Sequence, residues 1–268
     1  MPALTLHLLS LTPSTPAQSF VQELRKSTSS KIIVASRPRR VIISPTTLDT
    51  KTLLSELWDL LLLLQPNGRE SPFPPSLSTH IKKEYKINVG IPSRLLSTYP
   101  ERDAELKRTQ IPKEVPLTGS LDNLKDAGKG QNLEVSPELF SFMNEFTKVH
   151  DRPVTMLNLL HFHQPGGKEN YYKYGQGFNP VAAKRGGNAK LVGNVIQHPP
   201  STSTPSPSAE DWWNEISIVH YPSIRHFCDM LAGEDYQEVN RRYRLGALKD
   251  TFLLCTTELD VEDEVAKL

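Results

Sequence analysis

Hydrophobic and polar positions change period several times along the 268-residue chain, and the changes mark its elements. From residue 81 to 89, Ile81, Lys83, Tyr85, Ile87 and Val89 alternate with Lys82, Glu84, Lys86 and Asn88, which predicts a half-buried strand. Leu4 to Leu11 reads as an apolar strand, and Pro16 to Lys26 as a helix carrying Phe20, Val21 and Leu24. The β-branched runs Lys31 to Ala35 and Val41 to Ser44 flank Ser-Arg-Pro-Arg-Arg, the pattern of a strand pair with a basic hairpin tip. Asp49 is placed to cap a helix whose apolar positions are Leu53, Leu54, Leu57, Trp58, Leu61 and Leu64. The first half therefore reads βαββαβ.

The second half repeats that order. Val154 to Phe162 predicts a strand, and Tyr171, Tyr174, Phe178 and Val181 lie on one helix face. Gly186-Gly187 ends that helix, because glycine accepts a left-handed cap without steric cost. Ala189 to Ile196 and Trp212 to His220 are the middle strands. Ser223 caps a helix burying Ile224, Phe227, Cys228 and Leu231, a further helical piece runs through Tyr236, Val239 and Tyr243, and Thr251 to Glu258 closes the unit as a strand. A four-stranded sheet with both helices on one face leaves its other face bare, and a second such sheet can cover it. The expected fold class is α+β: two ferredoxin-like βαββαβ units packed as a pseudo-dimeric α+β barrel.

Proline marks the boundaries. Residues 65–79 read as a loop, and 102–136 mix Pro, Gly, Lys and Asp without period, which makes them the expected linker between an N-terminal unit (1–101) and a C-terminal one (137–268). The segment His-Pro-Pro-Ser-Thr-Ser-Thr-Pro-Ser-Pro-Ser-Ala (198–209) reads as a mobile insertion between two strands. Charge adds exclusions: 31 basic against 30 acidic residues give a net +1, with no field to attract a nucleic-acid backbone or an anionic membrane surface. The run Leu60 to Leu64 is too short to span a bilayer and is expected to be a buried helix. Two cysteines, Cys228 and Cys255, form no C-x-x-C pair or disulfide framework, and no apolar signal segment follows a basic start, so a cytoplasmic location is expected.

The motifs Met156 to Phe162, Tyr171 and Tyr174, Arg185 to Val195, Trp213 to Ser223, Asp235-Tyr236 and Tyr243 to Leu254 occur in an order that resembles one family. That family is the domain of unknown function thirteen-thirty, in the dimeric α+β-barrel superfamily, and the whole chain resembles its longer fungal members. The resemblance implies the barrel fold and no single activity. The wider superfamily holds monooxygenases of aromatic polyketides, polyketide cyclases, lactone isomerases, haem enzymes and plain binding proteins. The N-terminal half and the insertion at 198–209 depart from short members, leaving both a monomeric pseudo-dimer and a homodimer open.

Superfamily enzymes place a pocket between sheet and helices, which directs attention to a few polar residues of the second half. Asn158 interrupts an apolar strand, so it either anchors a ligand carbonyl or bonds a neighbouring loop. His161 and His163 share a strand face, but no third ligand has suitable spacing and no metal is expected. His220, with Tyr221, ends a strand, and with a pKa near ~6.5 it suits general-base work. His226 falls off the apolar stripe of its helix and is expected to be partly exposed. Arg241, Arg242 and Arg244 crowd one helix, where an inward arginine could clamp a carboxylate or enolate and an outward one would pair with Glu234, Asp235 or Glu238. Two readings follow. In the first, a cofactor-independent enzyme acts on a small aromatic or polyketide-like carbonyl compound by isomerisation, cyclisation or dehydration. His220 or His161 would be its base, and Asn158, Tyr174, Tyr221 and Arg244 its binding groups. In the second, the same fold serves as a non-catalytic small-molecule-binding or protein-interaction module.

Overall fold

A computed structural model describes residues 1–68, 71–109, 112–123, 132–196 and 211–263. The insertion expected at 198–209 lies outside the described residues. Eight strands, β1 (Ala3–Leu11), β2 (Lys31–Ile43), β3 (Leu60–Gln65), β4 (Ile81–Gly90), β5 (Val154–Phe162), β6 (Asn188–Val195), β7 (Glu215–Tyr221) and β8 (Leu248–Glu258), close into one barrel. Their order around it is β1-β3-β2-β8-β5-β7-β6-β4, and every neighbouring pair is antiparallel. The fold is α+β.

Alternation along each strand divides the side chains between the inside of the barrel and the outside. Leu4, Leu6 and Leu8 of β1, Leu61 and Leu63 of β3, Tyr85, Ile87 and Val89 of β4, Leu157 and Leu159 of β5, Ile216 and Ile218 of β7, and Phe252 and Leu254 of β8 fill the interior as one core. Side chains from all these strands thus occupy the barrel interior. Outside, Leu60, Leu62 and Leu64 meet α1 (Ala17–Ser27) and α3 (Pro75–Ser78). On the opposite side the outer face of β5, β7 and β8 is covered by α5 (Pro137–Val149), α6 (Gly167–Ala183), α7 (Ile224–Ala232) and α8 (Glu234–Val239).

Three expectations about the first half change. Leu60 to Leu64 is strand β3, because it is buried on both faces, inside the barrel and under α1; only the short α2 (Thr50–Leu54) is helical. Asp49, instead of capping α2 with its side chain, accepts a hydrogen bond from the Tyr85 hydroxyl at 2.7 Å. Ser36 to Arg40 is not a hairpin tip but the middle of the single strand β2, with its register shifting between Pro38 and Arg40. Its arginines are occupied: Arg37 and Arg39 pair with Glu262, while Arg39 and Arg40 lie over the rings of Phe146 and Phe142.

The expected linker is structured over part of its length. Helix α4 (Ser93–Thr109) runs past residue 102, and a 3-10 turn covers Ser120–Asn123. Asp229 of α7 holds this stretch, accepting from the amides of Thr118 and Ser120 at 2.9 Å and from the Thr118 hydroxyl at 2.6 Å. His226, expected to be partly exposed, is buried for the same reason. Its Nε2 donates to the Val115 carbonyl at 3.0 Å and its Nδ1 accepts from the Ser223 hydroxyl at 2.9 Å. After β8 the chain ends its described part in α9 (Leu259–Asp263). Among the described residues no helix is long and apolar enough to cross a membrane.

Candidate functional site

Between the outer face of β5–β7–β6 and helix α6 lies a cavity of about 390 Å³. That size falls within the range of small-molecule pockets. Its walls are aromatic and apolar, with Tyr171, Tyr174, Phe178 and Phe227 from the helices facing Met156, Val219 and Leu253 from the sheet. Polar groups enter at a few points only, among them Asn158, Glu215, Ser217, Tyr221, Lys168 and Arg244.

Strand parity determines which residues reach it. On β7 the positions 215, 217, 219 and 221 face the cavity, while Ile216 and Ile218 fill the barrel, so His220 falls on the barrel side. On β5, Met156 and Asn158 face the cavity and Leu157 and Leu159 do not, which sends His161 inward as well. Of the six predicted residues, Asn158, Tyr174, Tyr221 and Arg244 are brought together around the cavity and the two histidines are not. His161 is buried, its Nδ1 donating to the Trp212 carbonyl at 2.7 Å. His220 is 0% exposed and neither ring nitrogen has a hydrogen-bond partner among the described residues. Burial, reinforced by the Lys190 ammonium, lowers its pKa to about 3, so it is neutral and cut off from the cavity. Neither histidine can touch a molecule held there.

Arg244 is placed by an irregular turn. Residues Asn240–Arg244 form a π-helical turn, with the Leu245 amide bonded to the Asn240 carbonyl at 3.1 Å, and such turns recur at functional sites. The side chain is 2% exposed, forms no ion pair among the described residues, and leaves Nη2 buried without a hydrogen-bond partner. Its neighbours on the helix behave otherwise, since Arg241 pairs with Glu234 and Arg242 lies over Tyr243. Around Arg244 stand phenols: the hydroxyls of Tyr174 and Tyr236 are 3.2 Å apart. Burial pushes the pKa values of Tyr171, Tyr174 and Tyr236 up, and the guanidinium's positive charge opposes that rise in each.

Glu215 was not singled out from the sequence. It opens β7 with the same parity as Tyr221, a signal that was available. Burial raises its pKa against the opposing pull of Lys168, and raised carboxyls in clefts are candidates for proton transfer. Asn158 bonds within its own strand, Nδ2 donating to the Met156 carbonyl at 3.3 Å.

A second charged cluster lies at one end of the barrel, bordering an open groove of about 1080 Å³ beside α4. Carboxylate oxygens of Asp103, Glu258 and Asp260 lie within 4.8 Å of one another, close enough to hold a cation. The Lys107 ammonium, however, is 2.6 Å from an oxygen of each, and Lys190 pairs with Asp103 and Glu258. Two ammoniums already supply the charge that a metal would bring. Cys228 and Cys255 are buried, and burial pushes both thiols up, as expected of packing residues.

No family model and no curated protein matches the chain. Among solved structures, two crystal structures of a protein of unknown function from Rhodopseudomonas palustris are similar to it. The methylated form is 24% identical, covers 47% of this chain and 93% of its own, and has a TM-score of 0.34. The other is 26% identical, with coverage of 46% and 93% and a TM-score of 0.33. A "putative monooxygenase" from Lactobacillus acidophilus NCFM is 7% identical, with coverage of 96% and 93% and a TM-score of 0.47.

Proposed function

We propose that the cavity under α6 binds a small, flat carbonyl compound and that Glu215 exchanges a proton with it. The observation that carries this reading is a mostly apolar cavity of about 390 Å³ lined both by Arg244, buried and without an ion pair among the described residues, and by Glu215, a carboxyl of raised pKa. In the reaction a C–H bond beside the carbonyl breaks, its proton passes to the Glu215 carboxylate, and the electron pair moves onto the carbonyl oxygen. The charge that develops there is stabilised by Arg244, whose buried Nη2 has no hydrogen-bond partner among the described residues and can donate to it. Return of the proton to the same carbon exchanges it, and return to another carbon isomerises the compound. The step requires no redox partner. Glu215 thus takes the role first assigned to His220 and His161, while Asn158, Tyr174 and Tyr221 shape the pocket.

The reading extends to the architecture. The first half contributes strands in the order β4-β1-β3-β2 and the second in the order β8-β5-β7-β6, the same permutation in each. We take this as support for two ferredoxin-like units fused as a covalent pseudo-dimer, a tandem form of the family that the second half resembles.

Proton transfer is tested by NMR in deuterium oxide with benzoylacetone, a flat neutral 1,3-dicarbonyl compound. The protein is expected to accelerate exchange of the methylene protons, and Glu215→Gln to abolish the acceleration while leaving binding intact. The histidines' placement on the barrel side favours a second reading, binding without chemistry. Binding with no acceleration by the wild-type chain would decide for it.

A further inference from the structure

We infer that the natural ligand of this cavity is a monocarboxylate, with its carboxylate seated on Arg244 and its flat apolar body among the tyrosines. The inference rests on the cavity being a ligand site and adds the ligand's charge; the carboxylate takes one edge of the guanidinium and leaves its remaining donors to the carbonyl oxygen. A buried guanidinium without a counter-ion is costly, so its partner must be sought among the groups around it. Among the described residues the protein does not supply one. Asp250, which lines a smaller depression of about 160 Å³ beside Arg244, commits both oxygens elsewhere. They accept from the amides of Thr46, Thr47 and Leu48 and from the hydroxyls of both threonines, at 2.8–3.3 Å. Glu215, the carboxyl of the cavity, forms no ion pair with Arg244, and burial drives it towards its neutral form. The Tyr174 hydroxyl is engaged with Tyr236.

Charge counting gives the valence of the missing group. Of the charged groups lining the cavity, Lys168 is exposed to water and donates to Asn194, and burial drives Glu215 towards its neutral form, so Arg244 is the one buried charge and a single negative group pairs it. A guanidinium offers paired parallel donors that match a planar carboxylate, and the rest of the wall suits an aromatic or conjugated body. A phosphate ester, carrying nearly two charges, would leave an excess in an apolar enclosure.

The test is calorimetric titration of the full chain with 1-naphthoate, with its neutral isostere 1-naphthamide, and with 1-naphthyl phosphate. The expected result is 1-naphthoate binding tighter than the amide by roughly tenfold to a hundredfold, as for a hydrogen-bonded ion pair, with the phosphate weaker than the carboxylate. Arg244→Gln should erase the preference for naphthoate and retain naphthamide binding. Should that variant fail to fold, the comparison on the wild-type chain decides alone. Equal or tighter binding of the amide, or tighter binding of the phosphate, overturns the carboxylate assignment and leaves the cavity a ligand site. Binding of none of the three overturns the cavity reading and this assignment with it. Naphthoate binding unaffected by Val219→Trp, which fills the cavity, would place the ligand elsewhere and overturn both.

Discussion

Lys190 and Glu258 meet at the end of the barrel, Nζ to Oε1 at 2.5 Å, joining β6 of one seam to β8 of another. Lys190 is 1% exposed and also pairs with Asp103, while Glu258 has a second ammonium in Lys107. Burial alone would raise the Glu258 carboxyl, but the two ammoniums hold it well below the usual range. Removing Lys190 should break a buried pair, at a cost of about 3 kcal/mol. Chemical denaturation of Lys190→Met checks this, and an unchanged midpoint would show that Lys107 suffices alone. Because the folded-state pKa is depressed, the pair's contribution is present above the unfolded value near ~4.3 and lost as pH falls through the folded one. The variant's stability should therefore depend less on pH in that acid range.

His220 makes the opposite kind of demand on the same barrel end. Its folded pKa of about 3 lies below the unfolded value of 6.5, because burial first, and Lys190 second, penalise the imidazolium. Below pH ~6.5 the unfolded chain takes up a proton that the native chain refuses, so stability falls with pH until the folded value is reached. At pH 5 the loss is about 2 kcal/mol. Replacing His220 by Leu should shrink the difference in unfolding free energy between pH 7 and pH 5 by that amount. An unaltered pH slope would mean that the imidazolium is stabilised in the folded chain by a water or a partner group.

The strap over α7 is a separate stabilising device. Asp229 is fully buried, pairs with Arg185 at 3.2 Å and caps the 118–121 backbone. Asp229→Ala should cost about 3–5 kcal/mol, since Arg185 loses a buried partner and several donors lose their acceptor. It should also loosen the strap, so that trypsin cleaves faster after the exposed Lys113 under native conditions. If the variant is destabilised but cleavage after Lys113 is no faster, the strap is held by His226 and not by Asp229.

Much of this arrangement was legible from period alone. β1, β4, β5 and β7 carried their alternation or apolar run openly, and Ser223 does cap α7, accepting from the Arg225 amide at 3.2 Å. Gly186, at φ +69°, does end α6. Leu60 to Leu64 was not legible because a strand covered on both faces loses its polar alternates, leaving a run that a buried helix would share. Ser36 to Arg40 was misleading because its polar side chains are covered by α5 and by Glu262 at a distance of more than a hundred residues. In the site, Tyr221 and His220 are adjacent on one strand and cannot both face the cavity. The parity set by Val219 excluded His220 and included Glu215. Which face would be covered by helices, however, is a property of the closed barrel and not of any single strand.

The position of Arg244 depends on a close approach that only glycine allows. Gly177 sits in the middle of α6, where a Cβ would stand 2.8 Å from Cγ1 of Val239 and 3.2 Å from Cγ2. Val239 ends α8 immediately before the π-helical turn that carries Arg244, and the contact brings Tyr174 of α6 to within 3.2 Å of Tyr236 of α8. In an exposed helix, Gly→Ala would gain up to about 1 kcal/mol from propensity. Here overpacking should win, for a net loss of about 1–2 kcal/mol in Gly177→Ala. Trimming the obstruction should reverse the sign of the substitution. In a Val239→Ala background, where the clashing methyls are gone, Gly177→Ala should be neutral or stabilising, a coupling of about 1–3 kcal/mol in the double-mutant cycle. Additive effects in that cycle would show that the helices adjust freely, and that the burial of Arg244 does not depend on this contact.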